Sequence, residues 1–212
     1  MTDLYIIGSG GVGSHLIWNL QEYHPDYRLV GVLDDDPAKW GMHPAGIEVA
    51  GPVESLLAAG PCAVAIGVAH PAAKRAIVGR LSRMSHVSFP AFISPHAWVS
   101  RNVTIGQGVI IYPGVRINHG CHIEAFTLIN MNCAIGHDCS IGAFSSLAPG
   151  VNLGGCTRLE PVVDMGIGSA TRQNICLGEG SMIGGRAMVL DDVPAGEVWA
   201  GVPARPLPQQ IT

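Results

Sequence analysis

The stretch IGHDCSIGAFSSLAPGVNLGGCTRL, residues 135–159, decides the fold. Its large aliphatic residues are Ile135, Ile141, Leu147, Leu153 and Leu159, one at every sixth position. Outward in both directions the phase holds from Ile93 to Val189, with Thr171 as its one polar member. Four residues after each aliphatic comes a second column of mostly small residues, among them Cys121, Cys133, Cys139, Ser145, Val151 and Thr157. A period of six fits neither a helix nor a simple strand. It predicts a hexapeptide β-helix, in which each hexapeptide supplies one short strand and a turn. Three hexapeptides close a triangular coil, and coils stack about 4.8 Å apart with the aliphatic side chains inside. A buried Ile or Leu contributes roughly 1.5–3 kcal/mol, against about 1–2 kcal/mol of backbone entropy for each ordered residue. One coil therefore fails alone and a stack of several holds.

The rest of the 212 residues must be read around that column. Charged residues are 13% and hydrophobic ones 48%, yet no uninterrupted apolar twenty offers a membrane span. The net charge of −4 and the absence of Lys/Arg runs argue against a nucleic-acid surface. The opening MTDLYIIGSGG carries an Asp before its apolar run and turns to glycine too early for a signal peptide, which points to a cytoplasmic chain with reduced thiols. Cys121, Cys133 and Cys139 sit in the small inner column and Cys62 in the apolar run CAVAIGV, so packing accounts for them. Cys156 and Cys176 are not settled by the pattern. No cysteine pair has the CxxC spacing of a zinc site, and no metal is expected.

Residues 1–88 alternate strand and helix: LYII, a glycine turn, a helix, RLVGVLDDDP, the short helix PVESLLAAG, the strand CAVAIGV and the helix PAAKRAIVGRLSRM. That order predicts a small α/β, Rossmann-like domain, followed by the β-helix over 89–194 and a C-terminal tail over 195–212. Gly8, Gly10 and Gly13 make a GxGxxG, with Asp34 about twenty residues on. Such a turn brings backbone close to a phosphate at a helix N-terminus, and fewer than ninety residues suit a nucleotide-sugar better than a full dinucleotide. The competing reading is a glycine turn that only packs helix on strand. Asp34 and Asp35, at the ligand edge of the sheet, could accept hydrogen bonds from a ribose, base or sugar; Asp36 before Pro37 reads as a solvated turn.

His119 and His137 are eighteen residues apart at the same place in their hexapeptides, which stacks them on one face about 5 Å apart. His122 is expected nearer a corner, and the six histidines of the first domain and the linker, His15 to His96, read as surface or packing residues. His137 is the better candidate for chemistry, because Asp138 follows it at once and a neutral imidazole can take a proton from an attacking amine or hydroxyl. Adjacent strand residues point apart, so Asp138 helps only if a turn brings it round.

These residues, with IIGSGGVG, VLDDDP, AIGVAH, SLAPGVNLGG, MGIGSA, MIGGRAMV and VWAGVPAR, resemble the two-domain hexapeptide acyltransferases over nearly the full chain. That family includes sialic acid O-acetyltransferases and UDP-4-amino-sugar N-acetyltransferases of bacterial surface glycan biosynthesis. The resemblance implies a left-handed β-helix, a homotrimer, and acetyl-CoA as co-substrate in the groove between neighbouring prisms. It puts the general base on His137, the acid that raises its basicity on Asp138, and an asparagine near the reacting group on Asn130. It assigns the CoA groove to Ser146, Ile167 and Gly185, and the nucleotide-sugar site to Gly10, Gly11, Val12, Asp34, Asp35 and Gly67. Val12 and Ser146 stand where many relatives have histidine. Two other functions compete: a non-catalytic trimeric nucleotide-sugar-binding scaffold, and a zinc-dependent carbonic anhydrase-like β-helix, whose histidine pattern His119, His122 and His137 do not supply.

Overall fold

The computed structural model describes residues 1–208, so the last four positions of the expected tail lie outside the described residues. It divides into two compact units, 1–92 and 93–212. In the first, strands β1 (Thr2–Ile7), β2 (Tyr27–Leu33), β3 (Cys62–Ile66) and β4 (Val87–Ser88) form one parallel sheet in the order β2-β1-β3-β4. Every residue of β3 is buried, as an apolar central strand requires. Helix α1 (Gly11–Tyr23) turns Val12, Leu16, Leu20 and Tyr23 inward, at spacings of four, four and three that define its buried stripe. Helix α2 (Pro71–Leu81) starts on Pro71, whose missing N–H costs nothing there, and on His70, whose Nδ1 accepts from the Ala73 amide at 3.3 Å. It stops at Leu81 and so is shorter than its apolar pattern suggested. The short helix expected in PVESLLAAG is a 3-10 helix over Val53–Ala58.

The second unit is a parallel β-helix. From Phe92 to Val189 a two-residue strand recurs every six residues, and each strand pairs in parallel with the one eighteen residues away. Three sheets of eight, six and five strands make the walls. The second residue of each of these strands is the aliphatic one, Thr171 excepted, and the column is buried without a break from Ile111 to Val189. The small column is buried from Val109 to Val193, and several of its members donate to carbonyls on the next coil. Cys121 Sγ reaches Gly136 O at 3.1 Å, Cys133 Sγ reaches Ala148 O at 3.2 Å, and Cys139 Sγ reaches Gly154 O at 3.3 Å. Cysteine, serine and threonine are therefore at home in this column: each fits the corner and carries a donor for an inward carbonyl. Burial pushes the Cys133 thiol up to about 11, which keeps it unreactive. Thr171 is tolerated in the core because its hydroxyl accepts from the Gly154 amide at 3.1 Å and meets Thr157 Oγ1 at 3.0 Å.

A third column of period six was not anticipated. Every sixth residue from Gly108 to Arg186 has positive φ and turns the chain from one wall to the next. Asp138, at φ 57°, is one of them. The β-helix also runs beyond Pro194: Val198–Ala200 pairs in parallel with Met182–Ile183, and Arg205–Pro206 returns antiparallel along it. Part of the segment expected as a tail is thus wall. No helix among the described residues is long and apolar enough to cross a membrane.

Candidate functional site

His137 follows the strand Ala134–Ile135 and stands, half exposed, at the corner between the six-stranded and five-stranded sheets. The left-handed backbone of Asp138 brings its carboxylate back, so Oδ2 lies 2.8 Å from His137 Nδ1. The turn that the strand alternation called for is present. A carboxylate only accepts, so this contact places the ring proton on Nδ1 and leaves the Nε2 lone pair of the neutral ring free. The His119 ring stacks under that of His137 with centroids 5.5 Å apart, and His119 Nδ1 is 4.0 Å from Asp138 Oδ1.

Two glycines shape the corner. A Cβ at Gly155, one coil above His137, would lie 2.6 Å from His137 Nε2. A Cβ at Gly120, one coil below Asp138, would run into Asp138 Oδ1. The imidazole and carboxylate thus occupy space that side chains at these positions would fill. Cys156, beside Gly155, is exposed; its ligand atom, one from His137 and one from Asp138 all lie within 4.8 Å of one another. The pattern of the sequence left this cysteine unassigned, and only its eighteen-residue offset from Asp138 could have pointed to the corner.

The remaining prism candidates are elsewhere. Asn130 follows the strand Leu128–Ile129 at the corner between the eight-stranded and six-stranded sheets, and its Oδ1 accepts from the Met131 amide at 2.8 Å. Ile167 and Gly185 stack on that same corner, where a Cβ on Gly185 would lie 3.3 Å from Ile167 O. Ile167 is 63% exposed, whereas Ser146 is buried in the strand Ser146–Leu147. A single prism therefore does not gather His137 with Asn130, Ile167 and Gly185. His122, expected near a corner, heads the strand His122–Ile123 and meets Thr104 Oγ1 at 2.7 Å on the five-stranded wall. The correction follows from strand phase: the residue before each inward aliphatic points out from the flat wall. That outward column also builds a feature the sequence reading missed. Trp98, Arg116, Ala134 and Asn152 of that column, with Asn118 and Gly154 beside it, line a trough of about 640 Å³ on the six-stranded wall, which reaches Gly136 beside His137.

In the first unit, Gly10, Gly11, Val12, Asp34, Asp35 and Gly67 line one cavity of about 430 Å³. A Cβ at Gly13 would collide with the Gly8 carbonyl, and one at Gly67 would lie 2.7 Å from Gly13 Cα, so these glycines serve the crossing of helix and strand. Gly10 and Gly11 face open space. The packing reading of the glycine motif thus holds at Gly13, while Gly10 and Gly11 leave the turn open towards the cavity. Asp34 is mostly committed within the unit: Oδ2 accepts from the Ser9 amide at 2.9 Å and hydroxyl at 2.7 Å and pairs with Lys39 Nζ at 3.1 Å, while Oδ1 accepts from the Asp36 amide. Burial pushes its carboxyl up, but these hydrogen bonds outweigh burial and hold it at about 2. The Arg80 guanidinium likewise holds Asp35 below the usual carboxylate range, and Asp35 also accepts from the Val53 amide. Asp36 caps the turn that follows by accepting from the Ala38 amide.

No protein-family model matches the sequence, and no curated protein matches it. Solved structures do. The acetyltransferase domain of PglB from Neisseria gonorrhoeae FA1090 is 28% identical, with a TM-score of 0.87 over 98% of this chain and 100% of that one. The chain resembles acetyltransferases along its whole length. The PglB domain is also known in complex with acetyl coenzyme A. A histidine variant of perosamine N-acetyltransferase from Caulobacter crescentus, in complex with CoA and GDP-perosamine, is 26% identical with a TM-score of 0.88 over 98% and 97% of the two chains. WeeI from Acinetobacter baumannii AYE, at 24% identity and a TM-score of 0.87 over 98% and 100%, shares the fold. The likeness to hexapeptide-repeat acyltransferases drawn from the sequence motifs is therefore found in the structure as well.

Proposed function

We propose that this chain transfers an acetyl group from acetyl-CoA to an amine or hydroxyl of a nucleotide-linked sugar, with His137 as general base. The observation that carries the proposal is the 2.8 Å contact between His137 Nδ1 and Asp138 Oδ2. With Nδ1 protonated, Nε2 takes the proton of the acceptor as its nitrogen or oxygen attacks the thioester carbonyl, and Asp138 stabilises the imidazolium that forms. Collapse of the tetrahedral intermediate expels the CoA thiolate, which recovers the proton from Nε2. No acyl-enzyme is needed, because both substrates are held together. The oxyanion is assigned to a backbone N–H at this corner; that of Gly155 donates to no backbone acceptor among the described residues.

The first unit is read as a Rossmann-like domain that holds the nucleotide end of the acceptor in the cavity at Gly10, Gly11 and Val12, with Gly67 beneath. Asp34 and Asp35 act there by fixing the shape of the rim. The complexes of the neighbours with acetyl-CoA and with CoA and GDP-perosamine support both ligand classes. The prism is read as left-handed, and the active unit as a cytoplasmic homotrimer: Asn130, Ile167 and Gly185 occupy a different corner from His137, so a neighbouring chain supplies the facing wall of the CoA groove. Ser146, buried in its strand, would line that groove only through its backbone.

A thiol-release assay with acetyl-CoA against UDP- and GDP-amino sugars and sialic acids tests the reading. One of these acceptors should support turnover, and His137→Ala should lower kcat by roughly a hundredfold or more with little change in the KM for acetyl-CoA. Near-full turnover in His137→Ala would remove the mechanism. Sedimentation of the same sample at the mass of one chain would remove the trimer.

A further inference from the structure

We propose that His137, Asp138 and Cys156 form a binding site for a thiophilic divalent cation such as Zn²⁺, and that the bound ion silences the proposed base. The site rests on a juxtaposition the repeat creates. Cys156 occupies in its coil the place that Asp138 occupies one coil below, and both have left-handed backbones, at φ 58° and 57°. The Cys156 amide donates to His137 O at 2.8 Å and the Asp138 amide to His119 O at 2.9 Å, so both turns are tied to the coil beneath. One sulfur, one imidazole nitrogen and one carboxylate oxygen thereby come within 4.8 Å of one another at an exposed corner. Zinc takes this mixture of donors at about 2.0–2.3 Å, and small rotations of three exposed side chains close the remaining distance. Three protein ligands leave a fourth position for water, an arrangement that binds an ion without burying it.

Chemically the step is an exchange. The Cys156 thiol gives up its proton to solvent as the metal–sulfur bond forms; Nδ1, the ring nitrogen that faces Asp138, gives the metal–nitrogen bond, and its proton passes through solvent to Nε2, so the lone pair that would accept the acceptor's proton is lost. The ion is thus an inhibitor of transfer and not a cofactor for it. That consequence rests on His137 being the base; the binding itself does not.

The test uses the full chain and Co²⁺ as a spectroscopic probe. Wild type should show a sulfur-to-cobalt charge-transfer band in the near ultraviolet. Cys156→Ser should lose it, and Cys176→Ser, which alters the other thiol not fully buried, should keep it. His137→Ala should weaken Co²⁺ binding by roughly tenfold or more. In the acetyl-transfer assay, Cys156→Ser should retain its metal-free turnover and need roughly tenfold more Zn²⁺ for half inhibition. Absence of the band from wild type, or an equal band in Cys156→Ser, overturns the site. If the chain transfers no acetyl group to any acceptor, the function reading fails while the cobalt band still decides the metal site. A band with no effect of Zn²⁺ on an active enzyme overturns the silencing.

Discussion

His137 and Asp138 are neighbours in sequence whose side chains meet only because the second has a left-handed backbone. The sequence names both residues, and a period-two reading of strands sets them on opposite faces. What resolves the matter is the corner, where the alternation of a strand no longer applies. The same corner makes Gly155 a positioning residue. Its φ lies outside the left-handed region, so alanine suits the backbone, but the added methyl would press on His137 Nε2. Gly155→Ala should therefore lower kcat by roughly ten- to a hundredfold, through displacement of the ring, while the thermal midpoint moves by a few degrees at most. A variant with unchanged kcat would show that the ring has no fixed place. Cys156 was not legible as part of this corner, since nothing in a list of cysteines says which of them share a turn.

Among the elements, the two columns that face the core were legible and the one that turns the corners was not. Aliphatic and small residues repeat because burial selects them at every coil. The left-handed column holds glycine or asparagine at many places, yet also Phe126, Phe144, Cys156, Val162 and Arg186. A left-handed residue costs of order 1–3 kcal/mol when it is not glycine, and the ladders on both sides over-determine the turn strongly enough to impose it. Composition then carries no clear mark of the position. Thr171 shows the reverse case, a visible break in a pattern that the fold absorbs. The Gly154 amide also donates to the Thr171 carbonyl at 3.2 Å, and Thr157 Oγ1 also donates to Gly154 O at 2.7 Å, so neither group depends on the Thr171 hydroxyl. Thr171→Val should cost about 1 kcal/mol or less in urea unfolding. A loss of several kcal/mol would mean that the buried hydroxyl pair is structural.

At the scale of the molecule, the strand–helix order of the first unit and the repeat of the second were both readable, whereas the extra wall after Pro194 was not: VWAGVPAR departs from the six-residue phase and carries no repeat to follow. Nor could spacing show that Asp34 is occupied by its own unit. That occupation has a pH signature. The Asp34 carboxyl is held at about 2, below the value of about 3.9 of an unfolded chain. A depressed carboxyl contributes stability that is fully present above about pH 4 and is lost as pH falls through about 2, here about 2 kcal/mol. The stability difference between wild type and Asp34→Asn, from urea unfolding across that range, should shrink by about that amount on acidification. A difference independent of pH would mean that the carboxylate is not held by Ser9 and Lys39.

The stacking of strands at an interval of eighteen also makes the length of this chain quantised. Removal of one residue from the prism would put every later core side chain outdoors. Removal of six would keep the interior apolar but rotate everything downstream by one wall, so that the partners of each strand change identity. Only excision of eighteen would return each face to its old neighbours, with the column one storey shorter. Natural variants of such a chain should therefore differ in height by whole storeys, or else carry their extra residues as loops at the edges.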